Sequence, residues 1–474
     1  MKAMFKRLSK LPWSKISLIG LLIIFFSFSI ILTYDSAHYL GYVSIFEGNA
    51  EASSWDIVRG PVFPIIIHLS NILFGKTSTS ILVCTFLFYL SFVFICYILT
   101  KEITKEYKHR KLINTIIMLF LTLNPLIFGY FHVLLTEFVA ITITMLNILL
   151  AYKWIFIKEK NKKQHILYSL YFIFITIFCW HLKQPYIVIA IIPIIVSAII
   201  SIIKDHKKTN VLYRIGTFLL AVLFLIISML SWNVILDKMH VNKNTGRDSS
   251  SILSKQLAIT YSIETEEDKS DFQTVLNGML ENPGNTIGKY FNNYCSLSSL
   301  CKVHTDNGTA YISTGDVDLL DTYENTAIGY AILYRSENIF QMPDYLFNNA
   351  AAYYTDISRP IFLPIMKLLT KPTNIIYKAA ILLCLPFLIY LIVFRIKTKN
   401  KKNQEMYYLT IILLSTAAFH VVFSSVAQVI DRYAIEAFVP SCLGIIGAIS
   451  YTIVVYKDTH KKPRKSISAR RKNA

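Results

Sequence analysis

The feature that most constrains this chain is a series of long apolar runs, separated by short stretches rich in lysine and arginine. A run of about 20 apolar residues crosses the roughly 30 Å hydrocarbon core of a bilayer as an α-helix. Hydrophobic residues make up 54% of the chain and charged residues only 16%, whereas about a quarter of a soluble protein is charged. The pattern predicts an all-α polytopic membrane protein with about ten transmembrane helices.

The first predicted span covers residues 16–33, and we expect it to remain uncleaved because no small-residue cleavage site follows it. The other nine lie near residues 81–100, 112–128, 138–156, 166–182, 186–203, 215–236, 374–395, 407–427 and 437–456. With the amino terminus inside, the loops rich in Lys and Arg all fall on one side, as the positive-inside rule requires. We therefore predict a multi-pass protein of the plasma (inner) membrane with both termini in the cytoplasm.

This topology divides the chain into four regions. They are an N-terminal bundle of about seven spans at 1–236 with a first external loop at 34–78, an extracytoplasmic segment at 237–360, C-terminal spans at 361–456, and a basic cytoplasmic tail at 457–474. The net charge of +19 is concentrated in cytoplasmic loops and the tail, so it indicates topology and we expect no nucleic-acid partner. Cys295 and Cys301 fall in the external segment, where a disulfide and two free thiols are both open.

Ionisable residues at the external ends of the spans are the candidates for function, because charges near a bilayer are costly. They are Asp35, His38, Asp56, Arg59, Glu137, His181, Lys183, Asp431 and Arg432. Carboxylates beside cations at one membrane face suit an anionic, lipid-linked substrate, since cations hold phosphate oxygens and a carboxylate takes a proton from an attacking hydroxyl. Each residue alone is also explained by contact with headgroups or water, so only the set indicates a site.

Several short motifs follow one another along the chain. Asp35 comes directly after the first span, and the same external loop continues through Gly60-Pro61-Val62-Phe63-Pro64 and an apolar stretch that ends at Phe74-Gly75. Later external turns carry Asn124-Pro125, Leu135-Thr136-Glu137, Lys183-Gln184-Pro185 and Asp431-Arg432-Tyr433-Ala434-Ile435. The ordered set resembles the GT-C superfamily of polyprenol-dependent glycosyltransferases, especially the branch of protein O-mannosyltransferases and aminoarabinose transferases.

The resemblance implies a GT-C-like bundle with an external helix lying along the membrane, and a sugar on a polyprenyl phosphate as donor. Asp35 would be the general base of a single inverting displacement, and Glu137 would orient the acceptor or a basic partner. Lys183, Arg432 and Arg59 would stabilise the departing lipid phosphate. The implied substrate-binding residues are completed by His38, Asp56 and Tyr433.

The expected partners are the polyprenyl-phosphate sugar, membrane lipids, and an envelope acceptor that is a glycan, a lipid or a protein. We expect no cofactor; metal dependence stays open, because Lys and Arg can neutralise the phosphate without a metal. One alternative is an O-antigen-type polymerase or ligase, in which Arg359 and His304 would matter more. Another is a lipid-linked sugar transporter, although His68 and His420 are the only ionisable residues expected at depth, and a neutral core histidine explains each.

Overall fold

The computed structural model describes residues 20, 22–55, 59–157, 161–204, 208–241, 300–305, 308–313, 359–398, 403–427 and 434–460. The helices there of six residues or more are α1 (Tyr34–Phe46), α2 (Val62–Phe74), α3 (Ser78–Thr104), α4 (Arg110–Thr122), α5 (Pro125–Tyr130), α6 (Glu137–Trp154), α7 (Lys162–Leu182), α8 (Ile187–Lys204), α9 (Lys208–Lys238), α10 (Arg359–Thr398), α11 (Gln404–Ala427) and α12 (Ile435–His460). Short 3-10 turns lie at Ala52–Ser54 and Gln184–Tyr186.

Eight of these helices are long and apolar enough to cross a membrane. They are α3, α6, α7, α8, α9, α10, α11 and α12, and each coincides with a predicted span. Many of their large apolar side chains are exposed, as expected for surfaces that face lipid. The prediction of an all-α polytopic membrane protein is thus confirmed in outline, while a total of ten spans stays a prediction.

Two predicted spans differ from one continuous helix. In the first, the described helix ends by Phe25, and the chain is extended before Thr33 because the backbone of Ile31 bonds to another segment of the chain. In the third, a break between Thr122 and Pro125 separates α4 from α5. Proline disfavours helical geometry in the residue before it, and Asn124 is accordingly extended.

Within the predicted extracytoplasmic segment 237–360, the described residues include an antiparallel hairpin. Strand β1 (Leu300–Thr305) pairs with β2 (Gly308–Ser313), so that Leu300 lies opposite Ser313. This hairpin is a local departure from the predicted all-α fold within the described residues, and there the backbone hydrogen bonds are made between strands. Cys295 lies outside the described residues, so both alternatives for Cys295 and Cys301, a disulfide and two free thiols, stay open.

The C-terminal helices pack closely. Gly444 and Gly447 on α12 face α11. A Cβ atom added at Gly444 would lie 2.6 Å from the Leu414 side chain, and one added at Gly447 would lie 2.5 Å from the Thr410 side chain. Small residues let two membrane helices approach in this way and increase their van der Waals contact. The pair α11–α12 in turn packs against α6, α8 and α10, which places α6 at the centre of the bundle.

A buried asparagine compensates for a proline in the neighbouring helix. Pro193 lies inside α8 and has no N–H to donate to the carbonyl of Ile189. The Nδ2 of Asn147 on α6 donates instead to the carbonyl oxygens of Ile189, at 2.9 Å, and Ala190, at 2.8 Å. Because lipid supplies no hydrogen bonds, this contact fixes α6 against α8.

A short backbone pairing ties the chain before α1 to the chain before α6. The N–H of Ile31 donates to the carbonyl of His132 at 2.7 Å, and the N–H of Leu134 donates to the carbonyl of Ile31 at 3.1 Å. The buried hydroxyl of Ser36 on α1 also donates to the carbonyl of Leu134, at 2.7 Å. These bonds bring the first turn of α1 beside the first turn of α6, and we call this end of the bundle the site end.

Candidate functional site

The first element of the site is the amino-terminal turn of α1. The side chain of Thr33 accepts a hydrogen bond from the N–H of Ser36, and the side chain of Ser36 accepts one from the N–H of Thr33. This reciprocal cap fixes where the helix begins. Asp35 lies in that first turn, where the positive end of the helix dipole favours a carboxylate.

Asp35 is paired with Arg59 of the same predicted external loop. The Arg59 Nη2 atom lies 2.9 Å from the Asp35 Oδ1 atom, and the two side chains keep 19% and 21% of their surface exposed. The guanidinium also stands over the ring of Tyr39, 4.9 Å from its centroid. The Nε1–H of Trp55 donates to the carbonyl of Arg59 at 2.7 Å, which fixes the backbone of the arginine. The pair is therefore ordered yet still accessible.

The loop after Arg59 lies directly against the end of α7. A Cβ atom added to Gly60 would lie 1.9 Å from the carbonyl oxygen of His181 and 2.6 Å from its Cα. Both of these atoms belong to the backbone and have little room to move. Only glycine fits at this contact, which brings the segment of Arg59 beside the segment of Lys183.

A second carboxylate–cation pair joins α6 to the turn after α7. The Lys183 Nζ atom lies 3.7 Å from the Glu137 Oε1 atom, and Glu137 is only 1% exposed. The Thr136 hydroxyl donates to Glu137 Oε2 at 3.3 Å and lies 3.0 Å from the Tyr186 hydroxyl. Buried carboxylates are tolerated where a cation and hydrogen-bond donors compensate for lost hydration, and here both are present.

Tyr39 contacts the first pair through Arg59 and also interacts with the charges of the second. Its side chain is 5% exposed, and Lys183, Arg59, Glu137 and Asp35 all act on it electrostatically. Burial raises the pKa of the Tyr39 hydroxyl, against the opposing effect of the two cations. The group therefore stays a neutral hydroxyl at the centre of the site. Sequence reasoning missed Tyr39, although it lies one helical turn after Asp35 and hence on the same face of α1.

A third buried pair lies behind Glu137. Glu436 in the first turn of α12 faces His420 of α11, with 3.3 Å between Oε2 and Nε2, and the two side chains are 0% and 1% exposed. Glu436 also interacts electrostatically with Glu137. The sequence interpretation of His420 as a neutral core histidine overlooked this carboxylate, although Glu436 directly follows the motif that ends at Ile435.

The remaining candidates are less informative. His38 is half-buried on α1, three residues after Asp35. His68, which was expected at depth, lies on α2 with its Nδ1 atom 3.9 Å from Glu47 Oε1 and 27% of its side chain exposed. Asp56, Asp431, Arg432 and Tyr433 lie outside the described residues, so their roles stay predictions.

The site end therefore carries two carboxylate–cation pairs around one buried tyrosine. Arginine and lysine side chains can accept phosphate oxygens in place of the carboxylates they now contact. A carboxylate released in this way can take a proton from a hydroxyl. Among the described residues, no three His, Cys, Asp or Glu side chains come together as ligands for a metal ion.

Comparisons of this chain with protein-family models, with curated proteins and with solved structures find no match.

Proposed function

We propose that the protein is an inverting membrane glycosyltransferase that moves a sugar from a polyprenyl phosphate to an envelope glycan, lipid or protein. The observation that carries the proposal is the convergence of the Asp35–Arg59 and Glu137–Lys183 pairs around Tyr39. It gives the site end both a carboxylate that can act as base and cations that can hold a phosphate. The order of the sequence motifs, which resembles that of the GT-C superfamily, further supports the proposal.

In the proposed reaction, the donor phosphate engages Arg59 and Lys183 and displaces their present carboxylate partners. Asp35 then accepts the proton of the acceptor hydroxyl, whose oxygen bonds to the anomeric carbon of the sugar. The bond from that carbon to the phosphate oxygen breaks, and its electron pair leaves with the polyprenyl phosphate. Arg59 and Lys183 stabilise the added charge as it develops, with Arg432 as a further predicted phosphate contact.

The proposed orientation follows from charge. Described basic residues such as Lys105 and Lys162 lie at helix ends opposite the site end, so the positive-inside rule puts the site end outside the cytoplasm. We propose ten spans, cytoplasmic termini and a location in the plasma membrane. A lipid-linked donor reaches such a site from the outer leaflet, whereas nucleotide sugars are made in the cytoplasm.

The test is transfer of radiolabelled sugar by the purified protein from several polyprenyl-phosphate sugars to an envelope extract. Wild-type protein should transfer label, and Asp35→Asn should reduce the rate by about 10²–10⁴-fold because it removes a general base. Glu405→Gln likewise replaces a carboxylate by an amide, at an exposed position at the opposite end of the bundle, and should transfer at the wild-type rate. Transfer at the wild-type rate by Asp35→Asn would show that Asp35 is not the general base.

A lipid-linked sugar transporter is the second candidate, and the buried Glu436–His420 pair favours it. Ionisable groups inside a bundle are typical of transport pathways, and the sequence alone had not located this pair. The same purified protein in vesicles separates the two functions. A transporter would move the donor across the bilayer without consuming it, whereas the transferase would release polyprenyl phosphate.

A further inference from the structure

We propose that Glu436, held in place by His420, accepts a proton and positions Glu137, which allows Lys183 to exchange Glu137 for the phosphate of the substrate. This inference rests on the proposed function, because it requires a phosphate-bearing lipid at Lys183. Neither Glu436 nor His420 contacts that phosphate in the proposal. They act through Glu137, and are positioning residues.

The Glu436–His420 pair is buried and only partly hydrogen-bonded. Glu436 Oε2 lies 3.3 Å from His420 Nε2, so one atom of each side chain is engaged in the contact. The other two polar atoms, Glu436 Oε1 and His420 Nδ1, are buried and have no hydrogen-bond partner in the described part of the chain. Buried polar atoms are nearly always satisfied. The unpartnered carboxylate oxygen, Glu436 Oε1, is therefore a place where an added proton can bond.

Groups from three neighbouring segments lie around the pair. The first turn of α6 supplies Glu137, which interacts with Glu436. The turn before α8 supplies Tyr186, which interacts with both glutamates and lies 3.0 Å from the Thr136 hydroxyl. From α10, Tyr377 packs on Phe438 two residues after Glu436, with 5.5 Å between ring centroids. Lys183, which pairs with Glu137, is thus the cation that joins this buried group to the site.

Binding of a phosphate at Lys183 changes the balance of charge beside the pair. While Lys183 contacts Glu137, one positive charge offsets that buried carboxylate. A phosphate that engages Lys183 adds a negative charge close to two glutamates that are 1% and 0% exposed. Uncompensated charge in such a site is costly. Uptake of one proton from solvent onto Glu436 Oε1 restores the balance and leaves Glu137 in place.

The inference is tested with a synthetic polyprenyl methyl phosphodiester, whose single negative charge does not change with pH and which carries no sugar to transfer. If one proton is taken up on binding, the affinity of the wild-type protein should fall as pH rises, by up to about tenfold per pH unit. In Glu436→Gln the pair has lost its carboxylate charge, so the affinity should depend much less on pH. The matched control is Glu405→Gln, an exposed position at the other end of the bundle, which should keep the wild-type pH dependence.

Calorimetry of the wild-type protein gives a measurement that does not depend on folding of the variant. Binding heats in two buffers of different ionisation enthalpy should show net proton uptake with the phosphodiester. Wild-type binding without proton uptake, or the same pH dependence in Glu436→Gln as in wild type, overturns the role of the pair and leaves the proposed function standing. Failure of the wild-type protein to bind the phosphodiester at any pH instead overturns the proposed phosphate site, and the inference with it.

Discussion

The two ends of the helical bundle both carry ion pairs, but they place the acidic partner in different surroundings. At the end opposite the site, Lys105 at the end of α3 contacts Glu102 and Glu405, whose side chains are 34% and 53% exposed. At the site end, Glu137 and Glu436 are almost completely buried. Exposed pairs are worth little because water already solvates both charges, whereas buried carboxylates are costly unless compensated. Burial, more than the presence of a pair, therefore distinguishes the candidate site.

The largest expected difference between the two ends is in stability. Glu137→Gln leaves Lys183 without its carboxylate and should lower the free energy of unfolding by about 3 kcal/mol. Glu405→Gln removes an exposed partner of Lys105 and should cost less than about 1 kcal/mol. Thermal unfolding of the two variants in the same detergent gives the comparison. Equal losses of stability would mean that burial of the carboxylate does not distinguish the site end.

The next effect concerns the contact that joins the two pairs. Gly60→Ala should reduce sugar transfer by about 100-fold, because the new methyl group overlaps the His181 carbonyl and separates Arg59 from Lys183. Gly41→Ala is the matched control, since nothing lies within 4 Å of the added Cβ on α1. Transfer at the wild-type rate by Gly60→Ala would show that the two segments need not touch.

A smaller effect is expected from the lysine of the second pair. Lys183→Ala should raise the apparent KM for the lipid-linked donor by about 10- to 100-fold, since a charge-assisted hydrogen bond to phosphate is worth roughly 1.5–3 kcal/mol. Lys105→Ala at the opposite end should leave this KM unchanged. Initial rates over a range of donor concentrations measure both. A lower kcat at unchanged KM in Lys183→Ala would indicate that a different cation contacts the phosphate.

The smallest effect is expected at Tyr39. Tyr39→Phe should reduce transfer only a few-fold, because it removes one neutral hydroxyl and keeps the ring under Arg59. Since burial raises the pKa of Tyr39 above its ordinary value near 10, its hydroxyl stays protonated as the pH rises through 9. The alkaline limb of the pH–rate profile should therefore be the same in both proteins. A limb that shifts in Tyr39→Phe would mean that this hydroxyl titrates during catalysis.

The sequence predicted the membrane-spanning helices well because their length and apolarity are properties of a continuous run of residues. It was less successful where distant segments decide the local structure. The chain from Phe28 to Thr33 is apolar enough for a helix, yet the pairing of Ile31 with Val133 holds part of it extended. The hairpin at Leu300–Ser313 was missed because its pairing depends on partners as well as on composition.

For the candidate site, the sequence by itself determined which ionisable residues stand at the ends of apolar runs, and it selected Asp35, Arg59, Glu137 and Lys183. It could do so because the cost of charge in a membrane restricts such residues to few positions. Only the tertiary structure decided how they pair, with Asp35 on Arg59 and Glu137 on Lys183, and added Tyr39, Glu436 and His420. Such pairing depends on distances between segments far apart in the chain, and those are set by contacts such as Gly60 on His181.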